Sequence, residues 1–419
     1  MTETFLNEFF KLLQAAEPVR YHAFMLRLEK EFKQTGWRED IPAGVKNILV
    51  VRLDAIGDMV LTSGFLRELR ANFPHARITL VTSSLVYPIV EFCPYVNEIL
   101  TFDIKTLNRN FPIMLERLIE FCKDNLWRKH FSLAFSPQWG SDNLPGLLMM
   151  WLSGARERIG YGTHPYSNLG FEISAEDAAL DNFLLTKNIL APAEVINEAE
   201  RYFYVLQAVG LEVKQDNIEL FYGAEDFLKA QELLKIIPPT VKKVLLGIGA
   251  GFGSRQYPVE KLIIALKYLA RKNLAFIIVG GQTELDDANF IEKNIPQGKV
   301  LNLAGKTTLR ETEAIIAQMD YYIGNDSGVM HMAAAAQIPV LVMYREAQDK
   351  ENYLPGALSE YQRFEPWQTK TVILRPDHQL DDCAVRPPIY GWCHHREAHC
   401  ITQITPQEII DGFEKLQSF

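Results

Sequence analysis

Two short segments, far apart in the chain, each combine glycine with carboxylates just after an apolar strand. The first reads Arg52-Leu53-Asp54-Ala55-Ile56-Gly57-Asp58, and the second Ile323-Gly324-Asn325-Asp326-Ser327-Gly328-Val329-Met330-His331. A helix start has unpartnered N–H groups and partial positive charge, so small residues at Ser327 and Gly328 let a phosphate approach the backbone. Asp326 and His331 flank that point, with His331 aimed from the first helical turn toward the phosphate. Asp58 is a carboxylate at a strand end, placed to take a proton from an alcohol. Its competing role is that of an N-cap, and junctions of this composition also serve as plain connections. Gly57 permits a positive φ or a close backbone approach, and with Asp54 it completes the first turn.

A third segment, Gly247-Ile248-Gly249-Ala250-Gly251-Phe252-Gly253-Ser254-Arg255, is glycine-rich and ends in a cation. Phosphate cradles have this composition, although the Walker spacing is absent and the dinucleotide spacing is poor, and a loop with a solvated arginine is the alternative. Glu284 follows Gly280-Gly281 at another strand end, where it could accept bonds from ribose hydroxyls or merely start a helix. Cys383, Cys393 and Cys400, with His394, His395 and His399, offer ligand types for zinc or iron without the spacing of a ribbon or knuckle. Cys93 and Cys122 read as buried thiols.

Strands alternating with amphipathic helices must bring these residues together. The run Asn47 to Leu53 is too short for most helices and β-branched enough for a buried parallel strand, followed by a helix over Met59 to Phe73. Strands at Ile78 to Val81, Glu98 to Phe102 and Leu133 to Phe135 continue the alternation, which breaks after about residue 180. It resumes with strands at Lys243 to Ile248, Ala275 to Val279, Val300 to Leu303, Tyr321 to Ile323 and Val340 to Met343. This predicts an α/β protein with two facing Rossmann-like, doubly wound parallel-sheet domains, whose ligands bind beyond the carboxyl ends of the strands. The expected organisation is an N-terminal helical extension (1–45), a Rossmann-like domain (46–190), a connection (191–240), a second Rossmann-like domain (241–375) and a Cys/His-containing tail with a helix (376–419).

The chain has 419 residues, 48% hydrophobic and 23% charged, which fits a globular protein of two or three domains. A net charge of −9 argues against nucleic acid as the main partner. Acids near Met1 in place of a basic n-region, and the lack of a bilayer-length apolar stretch, predict a cytoplasmic protein that at most touches a membrane surface.

The chain resembles glycosyltransferase family 9, the ADP-heptose:lipopolysaccharide heptosyltransferases. The likeness rests on Val51 to Thr62 and Ile323 to His331, supported by Phe73 to Thr79, Leu152 to Gly160 and Leu303 to Leu309, within roughly Asn47 to Phe413. It implies a GT-B fold and an inverting, metal-independent transfer of a sugar from a nucleotide-sugar donor, ADP-heptose, with no cofactor required. The implied acceptor is a lipopolysaccharide core or lipid-linked oligosaccharide met at the inner face of the inner membrane. The resemblance implies that Asp58 is the base, with Asp54 and Gly57 on the acceptor side. On the donor side, Arg255 stands where a diphosphate-binding Lys is usual, Glu284 meets the ribose and Asp326 the sugar. Ser327, in place of the commoner Thr, and Gly328 bind phosphate, with His331 beside them. The extension before Asn47 departs from the family pattern and could serve oligomerisation or cover the acceptor cleft. The tail also resembles that of protein-modifying autotransporter heptosyltransferases, which leaves open a protein acceptor and an iron or zinc site at Cys383, Cys393, Cys400 and His394. A GT-B nucleotide-sugar epimerase is the other alternative.

Overall fold

The computed structural model describes residues 26, 28–30, 43–103, 111–139, 144–162, 175–349, 359–380 and 395–419. Most of the expected N-terminal extension, together with Cys383, Cys393 and His394, lies outside them.

The chain forms two six-stranded parallel sheets. The first contains β1 (Asn47–Val51), β2 (Arg77–Thr82), β3 (Glu98–Thr101), β4 (Leu133–Ser136), β5 (Glu157–Tyr161) and β6 (Lys187–Ile189), in the order β3-β2-β1-β4-β5-β6. The second contains β7 (Lys242–Gly247), β8 (Leu274–Ile278), β9 (Val300–Asn302), β10 (Tyr321–Asn325), β11 (Val340–Met343) and β12 (Thr371–Leu374), in the order β12-β11-β10-β7-β8-β9. Counted from its own first strand, the second sheet repeats the order of the first. Each is doubly wound, with its switch point between the first and fourth strands, where such sheets open a crevice for ligands.

Strand composition follows burial. Ile48, Leu49, Val50 and Val51 of β1 are all buried, as a strand covered by helices on both faces requires. Register is fixed on both sides, Val50 lying opposite Leu80 of β2 and Phe135 of β4. In the second sheet Ile323 sits between Leu246 and Leu341.

Beyond β4, the last strand expected in this half, the alternation continues through β5, helix Ala175–Leu184 and β6, the last of these past residue 180. β5 carries the charged Arg158 inside, where its guanidinium donates to the carbonyls of Leu184 at 2.6 Å and Ala155 at 3.0 Å. That buried charge hides the strand from a hydrophobic pattern.

One apolar cluster links the sheets, running from Val50 and Leu66 through Tyr202 and Phe221 to Ile315 and Met330. Helix Glu198–Gln207 packs in it against helix Ile56–Asn72. Helix Pro406–Gln417 returns to the second sheet, placing Ile409 and Phe413 in the core beside Leu341 and Val372. Among the described residues no helix is long and apolar enough to cross a membrane.

Candidate functional site

Arg52 is placed by backbone pairing. Its N–H donates to the Val81 carbonyl at 2.9 Å, one residue beyond β1, and its side chain is 1% exposed. The guanidinium forms ion pairs with Asp54 Oδ1 and Asp58 Oδ1, both at 3.0 Å. It also donates to the Tyr202 hydroxyl at 2.6 Å, and that hydroxyl donates to Asp58 Oδ1 at 3.4 Å. Burial opposes the charge on Arg52, but Asp54, Tyr202 and Asp58 outweigh it and hold its pKa above the usual arginine value. Burial pushes the Asp54 carboxyl up, against the pull of Arg52.

Asp58 does not precede its helix, as the sequence suggests. The helix spans Ile56–Asn72 with Ala55 as N-cap, so Asp58 lies in the first turn and leaves capping to no side chain. Among the described residues, both of its side-chain polar contacts use Oδ1.

The second half gathers a matching set of charges. β10 extends to Asn325, two residues beyond its sequence estimate, and Asn325 ties the adjoining loop in place. Its side chain donates to the Ile248 carbonyl at 2.7 Å and accepts from the Tyr257 N–H at 3.0 Å. Arg255, in a one-turn 3-10 helix at the end of the glycine-rich segment, lies 3.1 Å from Asp326 Oδ2 and donates to Glu360. Arg345, just beyond β11, grips Glu360 with two bonds of 3.0 Å and donates to Ser254 at 2.6 Å. Burial raises the Asp326 pKa to about 6, opposed by Arg255. For Glu360 burial loses to Arg255 and Arg345, and its pKa falls.

Ser327 is the N-cap of helix Gly328–Ala335; the Met330 N–H turns back to the Ser327 carbonyl at 3.1 Å, while those of Gly328 and Val329 have no residue behind them in the helix to accept, the arrangement that suits an anion. The helix start meets the other half directly. A Cβ built on Gly57 would stand 2.8 Å from His331 Cδ2, and one built on Gly328 2.9 Å from Ile56 Cγ2. Glycine is needed at both positions for this close approach. His331 is 4% exposed, and among the described residues its Nδ1 has no hydrogen-bond partner. Burial lowers its pKa to about 4, with Asp58 resisting and Arg255 assisting, so the ring is neutral near pH 7.

Asp58, Gly57, His331, Arg255, Asp326, Ser327 and Gly328 thus assemble where the two switch points face each other. Glu284 lies to one side, in a 3-10 turn before helix Leu285–Asn294. Its carboxylate accepts from Gly281 N–H and Thr283 Oγ1, each at 2.7 Å, and its Cγ is 2.9 Å from where a Gly249 Cβ would be. In the tail, Cys400 is buried with Sγ 3.4 Å from His399 Nδ1. Among the described residues no three His, Cys, Asp or Glu side chains are grouped to hold a metal.

A family model described as "Glycosyltransferase family 9 (heptosyltransferase)" matches residues 174–387, half of the chain. The chain belongs to glycosyltransferase family 9. Lipooligosaccharide heptosyltransferase 2 of Campylobacter jejuni is 27% identical over 184 residues, covering 42% of this chain and 52% of that protein. The chain thus spans about half the length of that relative. A family 9 glycosyl transferase crystal structure from Veillonella parvula superimposes with a TM-score of 0.68 at 19% identity, covering 88% of this chain and 97% of that one. The E. coli ADP-heptose lps heptosyltransferase II structure gives 0.61 at 18% identity, covering 88% and 98%. The fold is GT-B, two Rossmann-like halves closing on a cleft.

Within this family 9 fold, sequence reasoning passed over Tyr202, Glu360 and Arg345, and quoted Arg52 only as part of a motif. A buried arginine two and six residues before carboxylates was a usable signal for Arg52. Tyr202 and Glu360 carried none, since both arrive from helices remote in sequence.

Proposed function

We propose that the protein is an inverting glycosyltransferase that moves a heptose from ADP-heptose onto a lipopolysaccharide-core acceptor, without a metal. The observation that carries this reading is the opposition of Asp58 to Arg255 and the Gly328 helix start across the Gly57–His331 contact. Asp58 Oδ2 takes the proton of the acceptor hydroxyl as its oxygen bonds to the anomeric carbon. The bond from that carbon to the diphosphate breaks on the opposite face, and ADP leaves. Negative charge growing on the diphosphate is met by Arg255 and the N–H groups at Ser327 and Gly328. A neutral His331 beside them can donate or accept a hydrogen bond without adding charge. Asp326 faces the sugar, and Glu284, two strands away on the same sheet edge, takes the ribose hydroxyls.

The family model and the names of the relatives support a heptosyl donor and a lipopolysaccharide-type acceptor. The test is mass spectrometry of products from purified protein supplied with ADP-heptose and a core lacking the terminal heptose. Parent protein should add one heptose. Asp58→Asn should add none while still binding ADP in calorimetry, and normal turnover by that variant would remove Asp58 as the base.

A further inference from the structure

Helix Glu198–Gln207 belongs to neither sheet, yet two of its side chains reach opposite sides of the site. Glu198 and Tyr202 are one turn apart and so share a face. Tyr202 is 1% exposed, with its hydroxyl on Asp58 Oδ1 and its ring 4.5 Å beneath the Arg52 guanidinium. Glu198 is 2% exposed and accepts from Arg363 Nε at 2.9 Å and from its Nη2.

Arg363 closes the one-turn helix Glu360–Arg363, whose first residue is the carboxylate that grips Arg255 and Arg345. Asn197 adds a second tie, donating to the Glu365 carbonyl at 3.1 Å. A chain of charge-assisted bonds therefore runs from Arg255 to Glu360, across one turn to Arg363, on to Glu198, and across one more turn to Tyr202, Arg52 and Asp58. Its helical steps are short and its ends are the two groups assigned to the donor diphosphate and to the base. Buried ionic contacts have narrow geometric tolerance, so such a chain fixes relative position more than it adds stability.

We propose that Tyr202 and the Glu198–Arg363 pair are positioning residues that align Asp58 with the donor-side cation Arg255. This rests on the transfer reading above. Tyr202→Phe keeps the ring over Arg52 and removes one hydroxyl, and Arg363→Lys keeps the charge but loses the forked contact.

The experiment measures kcat, KM for ADP-heptose, ADP affinity by calorimetry and thermal melting for each variant, for their combination and for Asp58→Asn. Tyr202→Phe should lower kcat by about tenfold, the scale of one hydrogen bond to a charged group, with ADP affinity within about twofold of parent. Arg363→Lys should lower kcat in the parent but have little further effect in Tyr202→Phe, because both act through one alignment.

Unchanged kcat in both single variants, or strictly additive losses, overturns the proposal. If Asp58→Asn is inactive while Tyr202→Phe and Arg363→Lys turn over normally, only the positioning role fails. If Asp58→Asn turns over normally, the transfer reading and the positioning role fall together. A Tyr202→Phe protein that does not melt cooperatively leaves Arg363→Lys to decide, and parent-like kcat there counts against the proposal.

Discussion

The edge of the His331 ring lies against Gly57, with no room for a side chain between them: an added Cβ would be 2.8 Å from His331 Cδ2 and 3.4 Å from Gly328 Cα. Two helices, one from each half, thus meet through their N-terminal turns at the candidate site. Gly57→Ala must displace the imidazole or part the halves. The expected outcome is a loss of about 1–3 kcal/mol in a denaturant titration, the usual scale of overpacking, together with a larger loss of turnover. A parent-like midpoint and rate would show that the contact yields freely.

Arg255, the cation proposed to meet the donor diphosphate, is held by Asp326 and Glu360. Replacing it with Lys keeps the charge and loses the fork, so ADP binding should weaken by roughly tenfold with the fold intact. Arg255→Ala leaves Asp326 without its partner, and about 1–3 kcal/mol of stability should be lost, after discounting for the arginine's partial exposure. Calorimetry with ADP and chemical denaturation measure the two effects; equal ADP affinity in all three proteins would place the diphosphate elsewhere.

Glu313 tests the pH dependence. It is 1% exposed beside Asp226, and burial raises its pKa to about 9, opposed by a bond from the Phe221 backbone. The folded state therefore keeps a proton that the unfolded chain releases above about pH 4.5. Stability attributable to this group falls as pH rises from that value and levels off above about 9, at up to about 1.4 kcal/mol per pH unit. Glu313→Gln removes the penalty, so its melting-temperature advantage over the parent should widen from pH 5 to pH 8. A constant difference across that range would refute the assignment.

Metal independence is equally direct to check. With Arg255 and the Gly328 helix start supplying positive charge, turnover with ADP-heptose should be unchanged in excess EDTA. Loss of activity restored by magnesium would require a cation in the mechanism. Elemental analysis of the same untagged protein reports on Cys383, Cys393, Cys400 and His394.

Much of this arrangement was legible because parallel sheets have a simple signature. Short β-branched runs such as Asn47 to Val51 and Val340 to Met343 can hardly be anything but strands buried on both faces, and their alternation with helices fixes the doubly wound plan. β5 was harder to see, because the charged Arg158 is buried in it, satisfied in part by the carbonyl of Leu184, remote in the chain. Boundaries shifted where local signals compete: Asp58 looks like a cap, yet Ala55 takes that place because Arg52 and Tyr202 claim the carboxylate.

The sequence alone determined the two halves, the turns carrying Asp58 and Asp326, and the glycines that let backbones approach, since each of these depends on residues close together in the chain. Tertiary structure decided what those residues touch. Arg52 could have faced solvent, and Arg255 could have been a free cation. Tyr202, Glu360 and Arg345 become part of the site only because packing carries remote helices to it. Local sequence encodes backbone conformation and burial pattern, whereas the partners of a buried charge are set by which surfaces the fold closes together.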